Sequence, residues 1–467
     1  MIRQLLPPAP PFTALDAALR QGDFVTARRL HDAWRDDQAD PDGADAGKAL
    51  RALVCDYLAN RYDAIPDRIQ ALAAAAQQSA ETRAAAYFLL ALTAIDQNQE
   101  EAAHTALEIA ARHFGDSPQA QTCSVLAQAQ MAIYLGRYDE AEGWLARAAA
   151  RLHPGEVWAA AQHLRLTGLL HHQRTAYSAA LAALSDARAR FLALADAYEV
   201  ARCDKALANA HRRLDQPAEA AAAIRRAIAY FQAQELAIPL GRCLNTLGAI
   251  QYYFNQHEEA LASYTAALDI LGQTGLRLEA VYTLSNMART HHSLGQLRPA
   301  LRYFALGQEW AAQLHMPDMA ATLAHLQSRL EWELGRPEAA MTQMIQAGEI
   351  FAGAGAQALA ALAYRAQAEY LIEQGQLDAA QALLEQSRAT FLAHNRPAPA
   401  AENNLHLARI HLLRGDVHLA RPLLVEAAAV LRSHQQAHRA AVADLWLGRA
   451  YLAGEELAEA ESCLRRA

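Results

Sequence analysis

The stretch Leu244–Leu268, LNTLGAIQYYFNQHEEALASYTAAL, decides the fold. It reads as two helices joined at Asn255. The segments Leu135–Ala150 (LGRYDEAEGWLARAAA) and Leu334–Glu349 (LGRPEAAMTQMIQAGE) repeat its turn and second helix with other residues. Aligned on the turn, the motif recurs at Gly22, Asn60, Asn98, Gly136, Thr175, Asp215, Asn255, Gly295, Gly335, Gly375, Gly415 and Glu455. The spacing is 38 or 39 residues at first and 40 from Thr175 onward. Ten of the twelve are Gly, Asn or Asp, residues that tolerate the left-handed conformation of a tight turn closing a helix.

Five residues past the turn, eleven of twelve positions are alanine, from Ala27 to Ala460, with Ile65 the exception. A small residue there lets two helices approach closely, where a larger one would overpack. Nine residues past the turn stand large apolar residues such as Leu184, Ile224, Tyr264, Phe304 and Leu384. Small residues return at twelve, for example Ala187, Ala227 and Ala267. The helix before the turn carries its own small residue seven positions ahead of it, as at Gly168, Ala208, Gly248, Ala288 and Gly448. A Leu or Met often precedes it.

This pattern resembles the tetratricopeptide repeat, whose signature is Leu-Gly in the first helix, an aromatic after the turn and Ala, apolar, Ala in the second. The resemblance covers nearly the whole chain. The period departs from it: 38–40 residues here against the usual 34, so either helices or joints are longer. The expected fold is all-α, an α-solenoid of about twelve helix-turn-helix repeats in a right-handed superhelix. Neighbouring hairpins would stack to bury a continuous core. The expected organisation is a lead segment over residues 1–11 and a continuous array over 12–467. Between Asp36 and Gly47 the acidic insert DDQADPDGADAG reads as a solvated joint. Joints also break helical periodicity at Gly272–Arg277, Leu314–Met319, Gly353–Gln357 and His394–Ala400. The chain stops at Ala467, twelve past the last turn, with no polar capping helix, so the last repeat reads as truncated and the chain as part of a longer protein. Arrays of this period resemble those of large bacterial regulators, which implies an alternative role as the sensor of a CHAT protease or transcriptional regulator.

Composition narrows the chemistry. The net charge of −8 gives no whole-protein case for nucleic acid. Only Lys48 and Lys205 are lysine among 42 basic residues. The five cysteines are scattered, without a CxxC pair, which fits packed thiols in a reducing compartment and a cytoplasmic location. No signal peptide or membrane-spanning run is evident. A Walker A reading at Gly43–Ala49 fails, because Ala49 stands where Ser or Thr would bind magnesium. His171, His211, His291 and His411 recur four residues before the turn, which the repeat explains better than a metal site. No catalytic motif emerges, and neither an enzyme activity nor a cofactor or metal is expected.

The resemblance implies a concave face formed mainly by first helices. Its outward positions collect Arg165, Arg202, Lys205, Asn209, Arg212, Arg242, Asn245, Tyr252, Asn286, Arg289, His325 and Arg329. Asn can bond both groups of an extended backbone, and Arg can hold carboxylates with paired charge-assisted bonds. The expected partner is a protein or peptide segment, acidic or extended. Nucleic acid fits less well, because regular stacking aromatics and dense lysine are missing. Glu331, Glu333, Glu369 and Glu373 on or beside the same face are potential internal partners for these cations.

Overall fold

The computed structural model describes residues 1–6, 13–37, 46–58, 65–74, 79–96, 99–115, 117–273, 277–314, 316–394, 396–434 and 436–467. Most of the acidic insert and the start of the Walker-like stretch lie outside them. Among the described residues, twenty-four α-helices follow one another, numbered in chain order, and no strand occurs. No described helix is long and apolar enough to cross a membrane.

From α9 (Val157–Gln173) to α23 (Ala437–Ala453), nearly every helix has 17 residues, and almost every joint has three. Two such helices and two joints make the 40-residue period. The joints are short, so the excess over the usual repeat lies in the helices. Pro317 and Pro397 open their helices, where the missing N–H removes nothing the helix could use.

Ten of the twelve aligned turn residues have positive φ, and the other two, Asn60 and Asn98, lie outside the described residues. Thr175 (φ 62°) and Glu455 (φ 61°) adopt this conformation without a favourable side chain. A second series, Ala195, Glu235 and Gly355, lies twenty residues after Thr175, Asp215 and Gly335, at the joints between repeats. The left-handed residue thus recurs at both ends of a hairpin.

All twelve residues at the small position are buried, from Ala27 to Ala460. The large residues four positions on fill the place left by the small residue of the first helix. A Cβ on Gly168 would stand 2.6 Å from Leu184 Cγ, one on Gly248 would stand 2.6 Å from Tyr264 Cε1, and one on Gly448 would stand 2.8 Å from Leu464 Cγ. Cys123, Cys203, Cys243 and Cys463 are buried free thiols, and Cys55 is half-buried. Burial pushes the Cys203 thiol up to about 12 and Cys243 to about 11, as expected of packing residues.

Two of the recurring histidines serve the turn. His211 Nδ1 lies 2.6 Å from Gln216 Oε1, and His291 Nδ1 lies 2.6 Å from Gln296 Oε1, each pair spanning its turn. The chain divides into two compact units, Met1–Thr283 and Leu284–Ala467, the division falling inside α15 (Arg277–Ser293).

Thr175→Gly should raise stability by roughly 1 kcal/mol, because a β-branched residue is strained at this φ. Gly248→Leu should lower it by about 1–3 kcal/mol through overpacking against Tyr264. Denaturant midpoints check both, and unchanged values would contradict the turn and the close contact respectively.

Candidate functional site

In the first unit, α9, α11 (Ala197–Arg213) and α13 (Ala237–Tyr253) are the first helices of three consecutive repeats. On α11, Arg202, Lys205 and Asn209 follow at steps of three and four, which puts them on one face. Arg165 of α9 and Arg242 of α13 flank them. These five residues line one cavity of about 280 Å³. Its walls also carry Tyr57, Tyr134, Tyr198 and Phe231.

Behind the cavity lies a buried ion cluster. Glu199, fully buried, stands 3.0 Å from Arg202 Nη1, 3.4 Å from Arg165 Nε and 3.5 Å from Arg3 Nη2. Burial alone would raise its pKa, but Arg202 and Arg165 overcome that and hold the carboxyl well below the usual range, at about 2. Asp196 caps α11 by accepting from Glu199 N at 3.2 Å. It also accepts from Trp158 Nε1 at 3.0 Å and from both terminal nitrogens of Arg3. Arg242 pairs with Glu279, and Tyr57 Oη donates to Asp96 at 2.9 Å.

The cavity keeps two under-compensated cations. Arg165 is 3% exposed, yet its Nη2 has no hydrogen-bond partner. Burial, then the Arg202 charge, lowers its pKa. Among the described residues, no carboxylate comes within ion-pair distance of Lys205, and burial lowers its pKa too. A recessed guanidinium nitrogen and an ammonium between aromatic walls can make charge-assisted bonds to an anion, stronger there than in water.

The other expected groove residues fall elsewhere. Arg212 stacks over Tyr253 at 5.6 Å, with a buried, unpartnered Nε. Tyr252 packs against His257, and Asn245 is half-buried on α13. Asn286 and Arg289 belong to the second unit, the first half-buried and the second exposed.

His325 and Arg329 line a separate cavity of about 460 Å³ in that unit, with Trp332, Arg365, Glu369 and Tyr370. Trp332 stacks on Tyr370 at 4.4 Å and donates through Nε1 to Glu373 at 2.9 Å. Arg329 meets Glu333 at 3.4 Å, Arg336 meets Glu331 at 3.1 Å and Arg365 meets Glu402 at 2.6 Å. Burial and the Arg365 charge hold His325 below its ordinary pKa. Glu331, Glu333 and Glu402 thus meet arginines, Glu369 meets His406 at 3.2 Å, and it is the cavity of the first unit that carries more cations than carboxylates.

Repeating hairpins with left-handed turns and small-residue seams define a tetratricopeptide-type α-solenoid. No family model and no curated relative matches the sequence. Solved structures of similar fold include RapI in its apo form, at 14% identity and TM-score 0.53, over 76% of this chain and 98% of that one. The quorum sensor NprR from B. thuringiensis is similar at 14% identity and TM-score 0.54, over 73% and 96%. A signal transduction ATPase with a tetratricopeptide repeat sensor from Pyrococcus horikoshii is similar at 13% identity and TM-score 0.54, over 79% of this chain and 55% of that chain.

Glu199→Gln should cost about 3–5 kcal/mol, because it leaves guanidiniums buried without their charge partner. Its folded pKa is depressed, so Glu199 stabilises above the ordinary value near 4.5, and that contribution is lost as pH falls toward about 2. Acid unfolding of Glu199→Gln should therefore show a shallower decline over that window. A decline as steep as wild type would contradict the shared carboxylate.

Proposed function

We propose that the chain is a non-enzymatic interaction scaffold that holds an extended, acidic peptide or protein segment against the first-helix face of its first unit. The carrying observation is the pair of under-compensated cations, Arg165 and Lys205, in one recessed cavity. Asn209 stands on the same wall, where its amide can meet an extended backbone. A cavity of this size takes one or two side chains, so most of such a segment lies along the face outside it. Fold likeness adds support: a Rap protein complexed with Competence and Sporulation Factor is similar at 15% identity and TM-score 0.53, over 82% of this chain and 96% of that one.

A second reading, the sensor part of a larger regulator, is favoured by the likeness to the ATPase that carries a tetratricopeptide repeat sensor. It uses the same face for the same chemistry.

Selection of a random peptide library on the immobilised protein tests the proposal. Enriched sequences should be rich in Asp and Glu and should lose at least tenfold in affinity on Lys205→Glu. That variant should lose no more than about 1 kcal/mol of stability, because Lys205 is only half-buried and has no carboxylate partner to lose among the described residues. Enrichment without acidic residues, or equal binding by Lys205→Glu, would sink it.

A further inference from the structure

Arg3 lies 193 positions from the carboxylate it holds most closely. It is 2% exposed. Its Nη1 and Nη2 donate to Asp196 at 3.1 and 3.2 Å, and Nη1 also donates to the carbonyls of Leu19 and Arg20 at 2.9 and 3.2 Å. The guanidinium sits 4.9 Å from the Tyr198 ring centroid. It does not line the cavity. Its Nη2 nevertheless reaches Glu199, the carboxylate that also serves Arg165 and Arg202.

We infer that Arg3 is a positioning residue for the cation-rich cavity: by sharing Glu199 and holding Asp196, it keeps these carboxylates from neutralising Arg165 and so leaves that guanidinium able to hold an anionic ligand. This rests on the groove reading. Three guanidiniums draw on one carboxylate. Without Arg3, Glu199 neutralises the remaining two more completely, and Asp196 adds an unpaired negative charge beside them. The field at the cavity loses one positive charge, and an anion there is held less tightly.

The first hairpin, whose Leu19 and Arg20 carbonyls Arg3 holds, is also tied to α12 (Pro217–Ala233) and the residue after it without charge. Tyr230 Oη donates to the Gly22 carbonyl at 2.5 Å, and Gln234 Oε1 accepts from Phe24 N at 2.8 Å and Val25 N at 3.2 Å. Phe24 meets Tyr198 edge to face at 5.3 Å. Tyr230→Phe thus removes a neutral tie of this hairpin without altering the ion cluster.

Fluorescence anisotropy with a labelled alternating Gly-Glu octapeptide, and its Gly-Gln twin as control, tests the inference on the full chain. Wild type should prefer the Glu peptide. Arg3→Met should weaken that binding about fivefold or more, Arg3→Lys should restore most of it, and Tyr230→Phe should leave it unchanged. If Arg3→Met does not fold, Arg3→Gln, which keeps side-chain donors for the carbonyls, is read in its place. Undiminished binding by the neutral variant, no recovery with lysine, or an equal loss with Tyr230→Phe would overturn the role of Arg3. Failure of wild type to prefer the Glu peptide would overturn the groove reading itself.

Discussion

The close contact between a small residue on one helix and a large one on the next is the constraint from which the rest follows. Gly168 against Leu184 and Gly248 against Tyr264 leave no room for a Cβ. Such a seam fixes both axial register and rotation of the two helices, because a shift of one residue would set two large side chains face to face. Left-handed residues at the turn and at several joints then set the length of each helix. With rotation fixed, the inner face of each first helix is fixed as well. Residues there are held at a constant pitch but are not themselves required by the seam.

That freedom is used unequally in the two units. In the second, Arg365 and Arg439 both meet Glu402, and Arg329 meets Glu333. In the first, Glu199 is shared among three guanidiniums, while Lys205 has no carboxylate of its own among the described residues. Buried ion clusters contribute little net stability, since desolvation cancels much of the attraction. A cluster with surplus cations is worse still for stability. Apolar residues at Arg165 and Lys205 would serve the solenoid as well or better.

Much of this was legible in the sequence, for a physical reason. The turn residues, alanines and large apolar residues repeat because the same packing problem is solved in every hairpin, and repetition is visible without coordinates. The first-helix positions followed from the same register, and five of them, Arg165, Arg202, Lys205, Asn209 and Arg242, do meet in one cavity. The joints at Ala195 and Glu235 were harder to read. Neither residue favours positive φ, so local chemistry carries no signal for the left-handed turn that tertiary packing imposes there. The counter-charges were hidden for a different reason. Asp196 and Glu199 stand at the start of α11 like ordinary first-turn acids, and their partner Arg3 lies 193 positions from Asp196 in the sequence. Repeat periodicity reports contacts between neighbours, and says nothing of a contact made by a segment outside the period.

The same distinction separates structural from functional residues in a solenoid. A residue demanded by the seam recurs at every repeat, as the alanine five past the turn does. A residue that departs from the repeat and also lowers stability needs another cause. Arg165, with a buried nitrogen left unpartnered, meets both conditions, and Lys205, half-buried beside Arg202 and Arg242, brings a further positive charge to the same cavity. A buried donor left unpaired, as on Arg165, is costly in the empty state, and that cost is returned when an anion meets it. Recognition on this face would thus draw its free energy from strain already built into the free protein, which favours a ligand that brings negative charge over one that brings only shape.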